Sequence, residues 1–234
     1  MKTIMLIPLI TGTGVVHFIS SFAMIEKDKM AIIDFDCHSI LKETLLGNVV
    51  THKSSEIKDT LEFISTRFNN LLISFPNKNL SINHFKRKLF LDALKNYSMT
   101  RNAEFLIINY PYLCKDDLLI KMMEHSDYVV FLGDYSFEAN SALKEILNAS
   151  SECQFGMILS RPEKSKNSIE KVMDEIEINK MKFIVEIPYS LKFQLAAIQK
   201  KVLLELDDNY LSETIMRCWE KVKQKAQSIN VNTN

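Results

Sequence analysis

Seven short apolar runs punctuate this chain: Ile4–Ile7, Ala31–Phe35, Leu71–Phe75, Glu104–Ile108, Tyr128–Leu132, Phe155–Leu159 and Phe183–Ile187. Most are continuous rather than alternating. A strand covered on both faces needs that pattern, and such strands belong to parallel sheets. Between the runs lie segments of helical spacing: Val15–Lys27, Ile57–Phe68, Ile82–Tyr97, Lys115–His125, Phe137–Ala149, Ser168–Glu177 and Leu211–Ala226. Alternating strands and helices predict βαβ units, and right-handed crossovers place helices on both sheet faces. The expectation is an α/β chain with three α/β/α layers and a mainly parallel sheet of about seven strands. No linker, repeat or charge block divides it, so residues 1–227 read as one domain and 228–234 as a polar C-terminal tail.

Composition narrows the function. Lys+Arg and Asp+Glu both number 29, giving zero formal charge. Without a cationic surplus, there is no strong signal for nucleic-acid binding. The hydrophobic share of 47% supports a sizeable core and argues against disorder. Cys37, Cys114, Cys153 and Cys218 form no CxxC pair, and the histidines are scattered. No metal site is expected, and the thiols read as buried, reduced and cytoplasmic. The run after Lys2 loosely mimics a signal peptide. It lacks a small-residue cleavage pattern, and Pro8, the glycines, the threonines and His17 suit a membrane span poorly.

Only five glycines occur, and two of them, Gly12 and Gly14, stand together after the first run. A glycine turn between strand and helix lets backbone N–H groups approach an anion, aided by the helix N-terminus. A phosphate-binding loop of this kind then needs Lys for the β/γ-phosphates and Ser/Thr for Mg²⁺. Here Val15 and Val16 follow, and valine supplies neither a charge nor a ligand oxygen.

Several landmarks taken in order resemble the ParA/MinD-type deviant-Walker ATPases, especially the MinD-like pilus-assembly proteins TadZ and CpaE. Thr11-Gly12-Thr13-Gly14 is similar to the second half of the deviant Walker A loop. Ile32-Ile33-Asp34-Phe35-Asp36 is similar to the family's I-D-x-D, and Leu45-Leu46-Gly47 with Asp59-Thr60-Leu61 resembles its first switch. Ala103 to Pro111 resembles the Walker B strand, and Ser126-Asp127-Tyr128-Val129-Val130 a following strand. Gly156 to Arg161 and Ile187-Pro188-Tyr189 match two later motifs. The resemblance spans roughly residues 2 to 222 and implies a P-loop NTPase-like fold.

The departures from that pattern carry the functional expectation. The family's signature Lys falls at Leu9 or Ile10, its Walker Lys at Val15 and its Mg²⁺ Thr at Val16. Its Walker B Asp becomes Asn109, and its adenine-contacting Asn falls at Ser160. Phosphoryl transfer rests on positioning and charge stabilisation, so these losses together predict a degenerate Walker A, no ATP hydrolysis and no required cofactor. ATP·Mg binding without turnover is the disfavoured alternative. The vestigial nucleotide loop is then Thr11, Gly12, Thr13, Gly14, Val15 and Val16, with Asn109 as vestigial Walker B and Ser160, Arg161 and Pro188 on the adenine side. Asp34 and Asp36 are switch-like carboxylates or, on the blander reading, helix caps. His17 takes the place of a second Thr and reads as structural, because no nucleophile or carboxylate accompanies it. Lys86, Arg87 and Lys88, like Lys164, Lys166 and Lys171, read as solvated helix faces. Leu211, Ile215, Trp219, Val222 and Ala226 read as the packing stripe of a last helix rather than a membrane-seeking one.

The function implied is a pseudo-ATPase scaffold or localisation protein for a cell-envelope machine, such as a Tad-type pilus or secretion apparatus. It would act through protein partners and as a homodimer, with peripheral membrane association through those partners. The resemblance also implies dimerisation across the nucleotide face, with Val15 and Val16 buried there in place of ATP. The alternatives are a weak ParA-type ATPase of plasmid or chromosome partition and a MinD-like accessory of polysaccharide export.

Overall fold

A computed structural model describes residues 1–35, 40–47, 62–74, 103–110, 117–134, 136–149, 154–160, 181–188 and 190–228. The strands are β1 (Lys2–Pro8), β2 (Met30–Asp34), β3 (Glu62–Ser65), β4 (Leu71–Ser74), β5 (Phe105–Asn109), β6 (Tyr128–Gly133), β7 (Phe155–Ser160) and β8 (Met181–Ile187). The described helices are α1 (Val15–Ile25), α2 (Ile40–Leu46), α3 (Asp117–Glu124), α4 (Phe137–Ala149), α5 (Lys192–Gln199) and α6 (Asn209–Ser228), with a 3-10 turn at Leu203–Glu205. All seven apolar runs are strands.

The sheet has eight strands in the order β3-β4-β2-β5-β1-β6-β7-β8. Every pairing is parallel except β3 with β4. Alternate residues of the central strands feed two separate cores, as the two-residue strand period requires. Ile4, Leu6, Ile32, Ile107 and Val130 face α1, α2 and α6. Met5, Ile7, Ile33, Ile108 and Phe131 face α3 and α4. That gives the three α/β/α layers. The N-terminal run that mimicked a signal peptide forms the buried strand β1 and helix α1. Among the described residues no helix is long and apolar enough to cross a membrane.

Two expectations need correcting. The segment read as a helix over Ile57–Phe68 contains β3 and a tight turn, with residues 57–61 outside the described residues. Thr66 N–H donates to the Asn70 carbonyl at 2.8 Å, and Asn69 takes a left-handed φ of 61°. Thr66 Oγ1 also accepts from the Phe68 and Asn70 N–H groups. This local turn chemistry, followed by strand pairing, overrides the helical spacing and adds the eighth strand. Ser228, placed in the tail from sequence, is the last residue of α6, and its Oγ donates to the Lys225 carbonyl at 2.9 Å.

The last helix packs, as its stripe predicts. Leu211, Ile215, Cys218, Trp219, Val222 and Ala226 are all buried. The Trp219 ring lies 4.8 Å from Phe22 and 5.2 Å from Phe105, between centroids. Its Nε1 donates to Glu26 Oε1 at 2.8 Å, and Lys223 Nζ donates to the same oxygen at 2.9 Å. Burial pulls the Glu26 pKa upward, but the bonds from Trp219 and Lys223, with the charges of Lys223 and Lys29, hold it below its ordinary value. Cys218 is buried and free, and desolvation pushes its thiol up to about 12, so it is chemically quiet. Cys37, Cys114 and Cys153 lie outside the described residues.

Candidate functional site at the carboxyl end of the sheet

In an open α/β sheet, ligands sit beyond the carboxyl ends of the strands, where connections leave toward opposite faces. Here β1 leads to α1 on one face, while its neighbours β5 and β6 lead to α3 and α4 on the other. The Gly12–Gly14 loop emerges at that point.

The loop is held by backbone geometry. Leu9 N–H donates to the Leu132 carbonyl at 2.7 Å, extending the β1–β6 ladder by one residue. A Cβ on Gly133 would lie 3.2 Å from Leu9 Cδ1, so glycine there permits the close approach. Gly12 and Gly14 have φ of 74° and 79°, which an L side chain adopts only under strain. Gly14 is the N-cap of α1, and its carbonyl accepts from His17 at 2.9 Å and Phe18 at 3.1 Å. Gly14 also passes under Phe193, whose Cε1 would stand 3.1 Å from an added Cβ. The clustered glycines therefore serve the strand-to-helix turn. Val15 and Val16 are half-buried and pack against the core of their own chain.

A cavity of about 210 Å³ opens beside the loop. Gly12, Thr13, Gly14 and His17 line one side. Ser160 and Pro188, at the ends of β7 and β8, and Phe193, Gln194 and their α5 neighbours line the other. It is smaller than the roughly 300–1,000 Å³ of drug-sized ligand sites. No lysine or arginine lines it among the described residues. Ser160 is buried, and its Oγ donates a long 3.4 Å bond to the Gly133 carbonyl. His17 meets Phe193 edge to face at 5.6 Å between centroids. Desolvation pushes its pKa down to about 4, so the imidazole is neutral near pH 7 and gives an anion no charge.

The second half of the site is a buried polar pair. Asp34 ends β2 and Asn109 ends β5, and the two are register partners. Asn109 Nδ2 donates to Asp34 Oδ1 at 2.7 Å, while Asn109 Oδ1 is buried without a partner among the described residues. Phe35, the residue after Asp34, is not helical, and α2 is described from Ile40. Asp36 and Arg161 lie outside the described residues, as do Lys86, Arg87, Lys88, Lys164, Lys166 and Lys171.

The structure thus brings Gly12, Thr13, Gly14, Ser160 and Pro188 around one cavity and sets Asp34 against Asn109 at the ends of β2 and β5. Sequence reasoning missed Phe193 and Gln194. They belong to α5, whose apolar residues fall on two faces and leave no single stripe to read. Among the described residues, the lining of the cavity supplies no cation for a phosphate chain. At the Asp34–Asn109 pair a neutral amide donates to the acid, and the Val16 side chain offers no ligand oxygen. No cluster of three His, Cys, Asp or Glu side chains that could hold a metal occurs among the described residues.

No family model and no curated protein matches the sequence. Solved structures do match in three dimensions. The chain is similar to a ParA family ATPase from Chlorobium tepidum, at 16% identity and a TM-score of 0.68, covering 94% of this chain and 97% of that one. It is similar to a MinC:MinD cell division protein complex from Aquifex aeolicus, at 13% identity and a TM-score of 0.72, covering 96% of each chain. It is similar to the septum site-determining protein MinD with Mg-ADP from Pyrococcus horikoshii, at 15% identity and a TM-score of 0.69, covering 98% and 99%. At these identities the likeness is one of fold: this chain has the α/β fold of the ParA and MinD ATPases.

Proposed function

We propose that this chain is a ParA/MinD-like localisation protein that works by binding and not by turning over ATP. The observation that carries this reading is the Asn109–Asp34 bond of 2.7 Å. Where the family resemblance places a metal-organising carboxylate, a neutral amide donates to the neighbouring acid. The half-buried Val15 and Val16 at the Walker Lys and Mg²⁺ positions, and the neutral His17 beside them, point the same way. Loss of charge at several points of a phosphoryl-transfer site compounds, each typically costing orders of magnitude in rate.

On this reading the protein is a pseudo-ATPase scaffold in the cytoplasm. It assembles with protein partners at a cell-envelope machine such as a Tad-type pilus or secretion apparatus. One of its structural relatives was solved as a MinC:MinD complex, which supports a protein partner. Isothermal titration of the full chain with ATP·Mg²⁺ tests the reading, alongside a phosphate-release assay. We expect no binding in the micromolar range and no release above the buffer rate. Micromolar affinity or measurable hydrolysis would overturn it. The genes beside this one test the machine. A pilus or secretion ATPase is expected there, and a centromere-binding partner would move the reading to partition.

A further inference from the structure

The cavity beside the glycine loop holds bonding capacity that its own chain leaves unused. Thr13 and His17, both in its lining, are only 3% and 8% exposed. Thr13 Oγ1 and His17 Nδ1 are buried with no hydrogen-bond partner among the described residues. Buried polar atoms are paired in the large majority of cases, so two orphans in one small lining point to a partner from outside the chain. The turn itself does not need them, because Gly14 caps α1 through its backbone, without a side-chain bond. The walls around them are mostly apolar and offer flat surfaces: the bare backbone of Gly12 and Gly14, the Pro188 ring and the Phe193 ring. His17 is the one ionisable side chain in the lining among the described residues, and burial keeps it neutral near pH 7. Gln194 and Ala197 are exposed, so the cavity opens to solvent along α5.

We propose that this cavity binds a small uncharged heteroaromatic molecule of one or two rings, which pairs with Thr13 and His17. The size follows from the volume. A dry cavity of about 150 Å³ takes benzene, so about 210 Å³ takes a slightly larger ring system. The lack of charge follows from the lining. Among the described residues an anion would find no Lys or Arg there, and a cation no Asp or Glu. Either would be left unpaired in a largely apolar space, which is costly. The polar groups follow from the orphans. A hydroxyl both donates and accepts, and a neutral imidazole has one nitrogen of each kind, so the ligand needs a donor and an acceptor of its own. A mainly apolar pocket with a few placed polar groups is the usual form of a small-molecule site. Such a ligand presupposes that the chain binds without turning over ATP, and it differs from a nucleotide in carrying no phosphate.

Benzimidazole is a suitable probe, because it is neutral near pH 7 and carries both a ring N–H and a bare ring nitrogen. Titrated into the isotope-labelled full chain and followed by amide NMR, it should shift the Gly12, Thr13 and Gly14 resonances with a Kd of about 1 mM or tighter. Benzoate and benzamidine, rings of similar size with a negative and a positive charge, should bind at least about tenfold more weakly. Thr13→Val removes the hydroxyl and keeps the shape. It should weaken benzimidazole binding at least about fivefold, while ligand-free melting stays at or above wild type because an unpaired buried hydroxyl is lost. Ala197→Phe, at the exposed mouth, should abolish the shifts and leave the circular dichroism unchanged. No shift with benzimidazole would overturn the proposal, as would equal binding of the charged rings or by Thr13→Val. A fall in the ligand-free melting temperature of Thr13→Val would overturn it too, since the hydroxyl would then serve the fold. Addition of ATP·Mg²⁺ to the benzimidazole complex separates this ligand class from the nucleotide reading. Displacement by micromolar ATP·Mg²⁺ would overturn both. Silence toward both ligands would overturn the heteroaromatic ligand alone and leave the chain a protein that does not take up ATP.

Discussion

Replacing Asn109 with aspartate would set a second carboxylate against Asp34 inside the sheet. The amide nitrogen it replaces lies 2.7 Å from Asp34 Oδ1, and both residues are buried at the ends of adjacent strands. Two like charges about 4 Å apart repel by about 4 kcal/mol at an effective dielectric near 20. The pair escapes by taking up one proton, which raises its apparent pKa. Proton uptake limits the cost: holding a proton at pH 7 on a group that titrates near 4 when unfolded costs about 1.4 kcal/mol per pH unit, or about 4 kcal/mol. The sign follows from linkage. The folded variant binds more protons than its unfolded chain, so its stability falls as pH rises from about 4 toward 7 and returns on acidification. We expect Asn109→Asp to lower the melting temperature by roughly 8–16 °C at pH 7. Most of that loss should disappear near pH 4, measured against wild type in each buffer. Millimolar Mg²⁺ should recover part of the stability in the variant and none in wild type, because two carboxylates offer hard oxygen ligands. Asn109→Ala, which removes the donor alone, should cost about 1–3 kcal/mol without that pH dependence. An Asn109→Asp protein as stable as wild type at pH 7 without metal would refute the reasoning.

Two further perturbations read other parts of the same layers. The His17 pKa is pushed down to about 4 by burial, so neutral His17 supports the fold above its unfolded value near 6.5. That support is lost as pH falls from about 6.5 to 4, by up to about 3 kcal/mol. Urea midpoints of His17→Asn should lack this component, and a wild-type profile parallel to the variant's would remove the claim. Trp219→Phe keeps a ring against Phe22 and Phe105 but deletes the 2.8 Å bond to Glu26. A hydrogen bond to a charged group is worth about 1.5–3 kcal/mol, and chemical denaturation should show a loss of that size. A change below about 0.5 kcal/mol would mean that Lys223 alone satisfies the Glu26 carboxylate.

What the amino-acid order determined by itself is the layered α/β fold. Most of the seven apolar runs are continuous, as strands covered on both faces require, and all seven fall in strands of the sheet. The loop was legible for a similar reason. The left-handed backbone at Gly12 and Gly14 admits few residues besides glycine, so the geometry is written in the residue type. That Val15 and Asn109 carry no charge was legible too, because charge is a property of the residue and not of its surroundings. Tertiary structure decided the rest. The β3 hairpin depends on pairing with β4, which no local period reports. The Asp34–Asn109 bond joins residues 75 positions apart and exists only because β2 and β5 lie side by side. The neutrality of His17 and the roof that Phe193 makes over Gly14 arise where α1 and α5 meet. The exposure of Leu191, Leu195 and Ile198 could not be read from sequence, because an apolar stripe looks the same whether or not its own fold covers it.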